Sequence, residues 1–397
     1  MPRWAAPAGQ RRNPDADGHP NAYICPLLAK RIQKGTSMDT PAQPSRRTCL
    51  QSALGLAAGA AAQCAAWPAW AATTASRIDV HAHLIPDFYR SALKAYNVEG
   101  DGGLPTPAWS PDAAVDFMNK FGIQAQVVSL SEPGFGFLPD AASRRQMARQ
   151  VNDYIRDALI GAPAWSRAHR RFGGFASLPL GNARDSQEVS AAVEEAQRAL
   201  NPLKLDGVGL YTHYQGIYLG DPLLNPLMGA LNDLEAMVFI HPVAPPVQPD
   251  LKMPTFVLEF PFETTRAVTN MLYKGIFWRY PKIRWLLPHA GGTIPFVSHR
   301  AGLLALQLNP RNSAFSQLFF DTALSAAPAS MAATREITPT SHILFGSDFP
   351  YSQLVYGLKL PGDPNPELND SFSAAERQMV DRSNALTQLP RLAQRLG

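Results

Sequence analysis

Eight short apolar or β-branched runs recur along the chain, most of them separated by a segment with helical spacing. They are Arg77–His83, Gln126–Leu130, Arg171–Ser177, Gly207–Tyr211, Met237–His241, Ile283–His289, Leu318–Asp321 and His342–Asp348. Helical periodicity falls over Ser110–Phe121, Arg144–Ile160, Asp185–Leu200, Asn225–Glu235, Thr264–Arg279 and Phe296–Leu308. Ser110 reads as an N-cap, with Pro111 at the first helical position. Strand alternating with helix gives parallel βαβ units. Eight such units close into a (β/α)8 TIM barrel with loop insertions. A doubly wound open sheet would need a Gly-rich phosphate turn after its first strand, and "HAHLIPDF" has none. No periodic segment is left over for another domain, so residues 72–397 read as one barrel.

The C-terminal mouth of the strands is where such barrels keep their chemistry. Several runs end there in polar residues: His81 and His83, Ser129, His213, His241, His289, Asp321 and Asp348. Residues i and i+2 of a strand share a face, so His81 and His83 look the same way. A single strand-end histidine is more often a hydrogen-bonded core residue. The joint occurrence of His81, His83, His241 and Asp348 at strand ends that converge on one axis argues for a metal. Nitrogen and oxygen donors without sulfur suit one divalent ion, Zn(II) first, then Mn(II) or Fe(II), with a position left for water or substrate. Asp79 is placed to accept a hydrogen bond from a ligand imidazole.

Charge and cysteine divide the chain at one place. Residues 1–71 carry eight Lys/Arg and three Asp/Glu, a net of +5, and the remainder carries a net of −1. The body therefore has no basic stripe for nucleic acid. Cys25, Cys49 and Cys64 all precede residue 71, so the body has neither a thiolate ligand nor a cysteine nucleophile. Residues 1–37 are polar and aperiodic, and read as a disordered tail or an over-long start, with Met38 the better-placed initiator. Residues 38–71 read as an export signal: Arg46-Arg47, a weak Ala/Leu/Gly run, and Ala69-Trp70-Ala71 as a small-x-small cleavage site. That run is too short for a lasting membrane anchor. The expected destination is the periplasm, by the twin-arginine pathway.

"IDVHAH", "VFIHP", "PHAGG" and "LFGSDFP", in that order, resemble the amidohydrolase superfamily. They are most similar to its branch of metal-dependent non-oxidative decarboxylases, which includes the aminocarboxymuconate-semialdehyde, γ-resorcylate and 6-methylsalicylate decarboxylases. "DGGLPTPAWS", "FASLPL", "DGVGLYTHYQGIYLGDP" and "EFPFETTRA" resemble the last group most. The resemblance makes His81, His83, His241 and Asp348 the metal ligands and His289 the catalytic histidine. Binuclear relatives use a carboxylated lysine at the end of the fourth strand. Here Lys204 lies before that strand, so one ion is expected. The resemblance also implies a homodimer.

The reaction expected is decarboxylation of a small carboxylic acid, of ortho-hydroxybenzoate type, with His289 or Asp348 delivering a proton to the ring carbon. Arg266, Trp109, His213 and Phe349 are candidate substrate contacts, and the loops Asn97–Pro111 and Pro242–Pro261 are candidate pocket walls. A mononuclear hydrolase of an amide, ester or lactone would use the same ligands, and a non-catalytic metal-binding barrel is the remaining alternative.

Overall fold

In the computed structural model, which describes residues 76–98, 100, 102–249, 251–304, 314–356 and 364–397, eight parallel strands follow one another around a barrel. They are β1 (Arg77–His83), β2 (Ile123–Ser129), β3 (Phe172–Ser177), β4 (Gly207–Tyr211), β5 (Met237–His241), β6 (Arg284–Leu287), β7 (Phe319–Asp321) and β8 (Ile343–Leu344). Chain following β8 closes the seam to β1. Val80 N–H donates to Phe345 O at 2.9 Å, Asp348 N–H to His81 O at 2.8 Å and His83 N–H to Phe349 O at 2.6 Å. The tail, the twin-arginine segment and the cleavage site expected between residues 1 and 71 lie outside the described residues.

All eight expected runs are strands, and their ends differ for local reasons. The sixth stops at Leu287 because Pro288 has no amide hydrogen to extend the ladder. His289 and Ala290 then turn away at φ 54° and 55°. The strands read as near-continuous apolar runs because both faces are covered. Ile78, Val80, Val127, Phe175, Phe239 and Leu344 pack with Ala385, Leu389 and Leu392 from the C-terminal helices.

One expected loop ends in helix. The segment expected as a Pro-rich loop to Pro261 enters a helix at Thr255 that runs to Tyr273 with Pro261 inside it. Apolar residues on one side of the helix mark it, but the prolines hide the period. Arg266 therefore sits in the second half of a helix and does not open one. The expected Ser110 cap is present, its Oγ accepting from Ala113 N–H at 3.1 Å. The expected helix Arg144–Ile160 becomes an α-helix over Ala141–Tyr154 that continues as a π-helix over Ile155–Ile160.

Asp79, fully buried, ties β1, β2 and the chain after β8 together at the seam. Its Oδ1 accepts from His81 N–H at 3.1 Å and Ser347 N–H at 3.0 Å. Its Oδ2 accepts from Gln126 Nε2 at 2.9 Å and Ser347 Oγ at 2.6 Å. Burial raises its carboxyl to about 6 even though these four donors favour the charged form. Asp79→Ala orphans buried donors on β1, β2 and the chain after β8. It should lower unfolding stability by about 3 kcal/mol or more, measured by denaturant titration; a wild-type midpoint would contradict this role.

Candidate metal centre

Three imidazoles meet at the barrel mouth. His81 and His83 leave β1 on one face, and His241 ends β5. His81 Nε2 lies 3.1 Å from His83 Nε2, and the ligand atoms of His81, His83 and His241 all fall within 4.8 Å of one another. Asp348 completes the group, its Oδ1 3.1 Å from His83 Nε2 and 3.5 Å from His81 Nε2.

The far nitrogen of each ring is already committed. His81 Nδ1 is 2.8 Å from Asp321 Oδ2, His83 Nδ1 is 3.3 Å from Ser129 O, and His241 Nδ1 is 2.8 Å from Pro242 O. A carbonyl or carboxylate oxygen can only accept, so each Nδ1 carries the hydrogen. In its neutral form each ring presents an Nε2 lone pair inward, and lone pairs about 3 Å apart repel unless a proton or a metal cation lies between them. Two nitrogens held about 2.0–2.1 Å from one ion sit about 3 Å apart, which matches the His81–His83 spacing. The residues present fit a single divalent ion.

Without an ion, a proton on His81 takes the place of that cation. Burial alone would lower the His81 imidazolium, but the Asp321 and Asp348 carboxylates outweigh it and raise it to about 9. Burial pushes the Asp348 carboxyl up, yet His81, His289 and His83 together hold it well below the usual carboxylate range. Burial lowers His83 and takes His241 well below the ordinary imidazole value. The cluster thus favours a positive charge shared among fixed ligands.

Two backbone features hold the site. Asp348 sits in the left-handed region at φ 58°, as does His289, and such conformations of non-glycine residues cost about 1–3 kcal/mol each and gather at functional sites. Gly346 lies so close beneath the cluster that a Cβ would come within 2.9 Å of His81 Cβ.

The expected orienting carboxylate is corrected. Asp79 touches only the His81 backbone, whereas Asp321, fully buried at the end of β7, holds the His81 ring. Its Oδ1 also accepts from His289 N–H at 2.9 Å and Ala323 N–H at 3.0 Å. Its place at a strand end was the available signal.

His289 is the odd ring of the set. Its Nε2 lies 3.6 Å from Asp348 Oδ2, and its Nδ1 is buried with no hydrogen-bond partner among the described residues. Its tautomer is therefore not fixed from behind as the other three are.

A cavity of about 300 Å³ opens over the cluster. His241, His289 and Asp348 line its floor, Leu104, Phe256, Val257, Phe260 and Leu324 its apolar walls, and Ser131, Ser325 and Tyr351 add hydroxyls. The four expected substrate contacts are placed elsewhere. Phe349 is spent on the seam and packs on Phe117 at 4.5 Å. Trp109 is buried against Tyr154. His213 turns into a hairpin and donates from Nε2 to Ala244 O at 3.1 Å. Arg266 is half-exposed and pairs with Glu263 and Glu259. The two segments expected as pocket walls do supply them, Leu104 from Asn97–Pro111 and Phe256, Val257 and Phe260 from Pro242–Pro261, the latter as helix rather than loop.

Asp321→Asn keeps an acceptor for His81 but removes the charge. It should weaken metal affinity about 10–100-fold with the fold intact, measured by competition against a chelator. Unchanged affinity would contradict the role given to Asp321.

Residues 78–391 match the family described as amidohydrolase. A 6-methylsalicylic acid decarboxylase of Penicillium expansum is 32% identical over 340 residues, covering 80% of this chain and 97% of that one. A crystal structure described as an amidohydrolase II superposes with a TM-score of 0.68 at 28% identity, over 79% of this chain and 100% of that one. A 5-carboxyvanillate decarboxylase from Novosphingobium aromaticivorans, complexed with manganese and 4-hydroxy-3-methoxy-5-nitrobenzoic acid, shares the fold at 19% identity and a TM-score of 0.63, over 79% and 96% of the two chains. On this match, and on the barrel it spans, the chain belongs to the amidohydrolase family.

Proposed function

We propose that the chain is a metal-dependent, non-oxidative decarboxylase of a small aromatic carboxylic acid of ortho-hydroxybenzoate type, with 6-methylsalicylate the first candidate. The observation that carries this reading is a single-ring-sized cavity whose floor joins the imidazole–carboxylate cluster to a histidine with an uncommitted nitrogen. The relative named for 6-methylsalicylic acid, aligned over nearly its whole length, supports the substrate class. A hydrolase would use the same ligands, but the relatives' names favour decarboxylation.

His81, His83, His241 and Asp348 would hold the ion. When bound, it supplies Lewis-acid polarisation and neutralises the charge of an anionic substrate. Phe256, Val257, Phe260 and Leu104 exclude water and pack on the ring, which fixes its orientation. His289 delivers a proton from its ring to the carbon bearing the carboxylate. The bond to the carboxylate carbon then breaks, its electron pair returns to the ring, and carbon dioxide leaves. Asp348 Oδ2, 3.6 Å from His289 Nε2, stabilises the imidazolium before transfer.

For the metal, the sulfur-free donor set supports Zn(II) or Mn(II), and the solved neighbour's manganese adds weight to Mn(II). The proposal includes periplasmic export, supported by Arg46-Arg47 and Ala69-Trp70-Ala71, and a homodimer, supported by the family likeness.

Purified protein should release carbon dioxide from 6-methylsalicylate. His289→Ala should lower kcat about 10²–10⁴-fold while elemental analysis shows the metal retained. Turnover of a lactone or amide with no carbon dioxide from any hydroxybenzoate would reverse the reading.

A further inference from the structure

The cavity walls come from separate parts of the chain. Leu104 belongs to the segment before the helix Pro111–Lys120, and Phe256, Val257 and Phe260 belong to the helix that begins at Thr255. Glu132, the residue after cavity-lining Ser131, ties the first of these segments to the loop that follows β5. Its Oε1 accepts from Ala244 N–H at 2.7 Å, and its Oε2 accepts from Gly102 N–H at 3.2 Å.

The Gly102 end of this bridge is held against the wall helix, and the Ala244 end is anchored away from it. Gly102 O accepts from Phe256 N–H at 3.0 Å. A Cβ on Gly102 would lie 2.9 Å from the Phe260 ring, and one on Gly103 would lie 2.8 Å from Pro254 Cα. The Leu104 segment is therefore pressed against the helix that carries the wall phenylalanines. On the other side, His213 Nε2 donates to Ala244 O at 3.1 Å, with Gly216 N–H donating to His213 Nδ1 at 3.3 Å. Val243 N–H donates to Thr212 Oγ1 at 3.3 Å. The backbone of Val243 and Ala244 is thus held at three points.

We propose that Glu132, backed by His213, is a positioning residue: its carboxylate clasps the Gly102 and Ala244 loops and so holds the Leu104 wall, with the Phe256–Phe260 wall pressed against it, in place over the cluster. A carboxylate is suited to this because both oxygens accept, and charge-assisted hydrogen bonds to backbone amides are the stronger kind. Glutamine would offer one acceptor and one donor, so one of the two loops would lose its partner. Glu132 touches neither the metal cluster nor the substrate, and it acts through the walls.

The test is amide hydrogen exchange on metal-loaded wild type, Glu132→Ala and Glu132→Gln. Exchange over Gly102–Leu104 and Val243–Ala244 should quicken about tenfold or more in Glu132→Ala, with Glu132→Gln between it and wild type. Metal content and exchange in the barrel strands should not change. For the substrate turned over, KM should rise about tenfold while kcat stays within about threefold. Unchanged loop exchange, or a fall in kcat at unchanged KM, overturns the proposal. If Glu132→Ala does not accumulate, Glu132→Gln carries the same readouts. The choice of substrate rests on the proposed function, but the exchange result does not. A silent substrate panel beside quickened loops would sink the substrate reading and keep the clasp.

Discussion

Each of the three imidazoles facing the barrel axis is tied from behind at Nδ1, and that tie aims its Nε2 lone pair at one point. A histidine free to choose its tautomer could turn a hydrogen inward and hydrogen-bond to its neighbour. In their neutral forms His81, His83 and His241 are denied that choice by Asp321, Ser129 O and Pro242 O. The resulting concentration of lone pairs beside the Asp348 carboxylate is unfavourable without a cation and favourable around one. The rest of the mouth serves that arrangement.

The barrel supplies what such a cluster needs, which is a rigid frame. Ligands on β1, β5 and the chain after β8 are far apart in sequence and adjacent only because the strands close. The seam is where closure is thinnest in strand pairing, and it is there that Asp79 gathers four donors and Asp348 takes up its left-handed backbone. A ligand placed by strained backbone and buried hydrogen bonds pays its ordering cost at folding, so less is lost when ion and substrate bind. His289 stands apart from this. Its ring turns Nε2 toward Asp348 and leaves Nδ1 without a partner among the described residues, the condition expected of a group that exchanges protons.

Much of this was legible in the residues. His-x-His on a strand has a fixed consequence, because alternation puts both rings on one face. The apolar runs marked all eight strands, since strands covered on both faces must be apolar throughout. What was hidden depended on partners remote in sequence. Asp79 and Asp321 both lay at strand ends or beside ligands, and only the register of β1 against β7 and β8 decides which carboxylate reaches the His81 ring. The helix expected from Thr264 begins earlier, at Thr255; its first turns were hidden by the prolines, and Pro261 is tolerated inside it. The segment was legible as a pocket wall, but without its helical period the inward-facing Phe256 and Phe260 could not be told from their neighbours. Arg266, Trp109, His213 and Phe349 had the right chemistry for substrate contacts, but their side chains are used in ion pairs, packing and loop anchoring.

Anomalous diffraction from crystals of the purified, active protein, collected across the metal edges, tests the central claim most directly. The account predicts one ion per chain, held by Nε2 of His81, His83 and His241 and by Asp348. An active protein with no anomalous peak at that point, or with its ion bound by other residues, would contradict it.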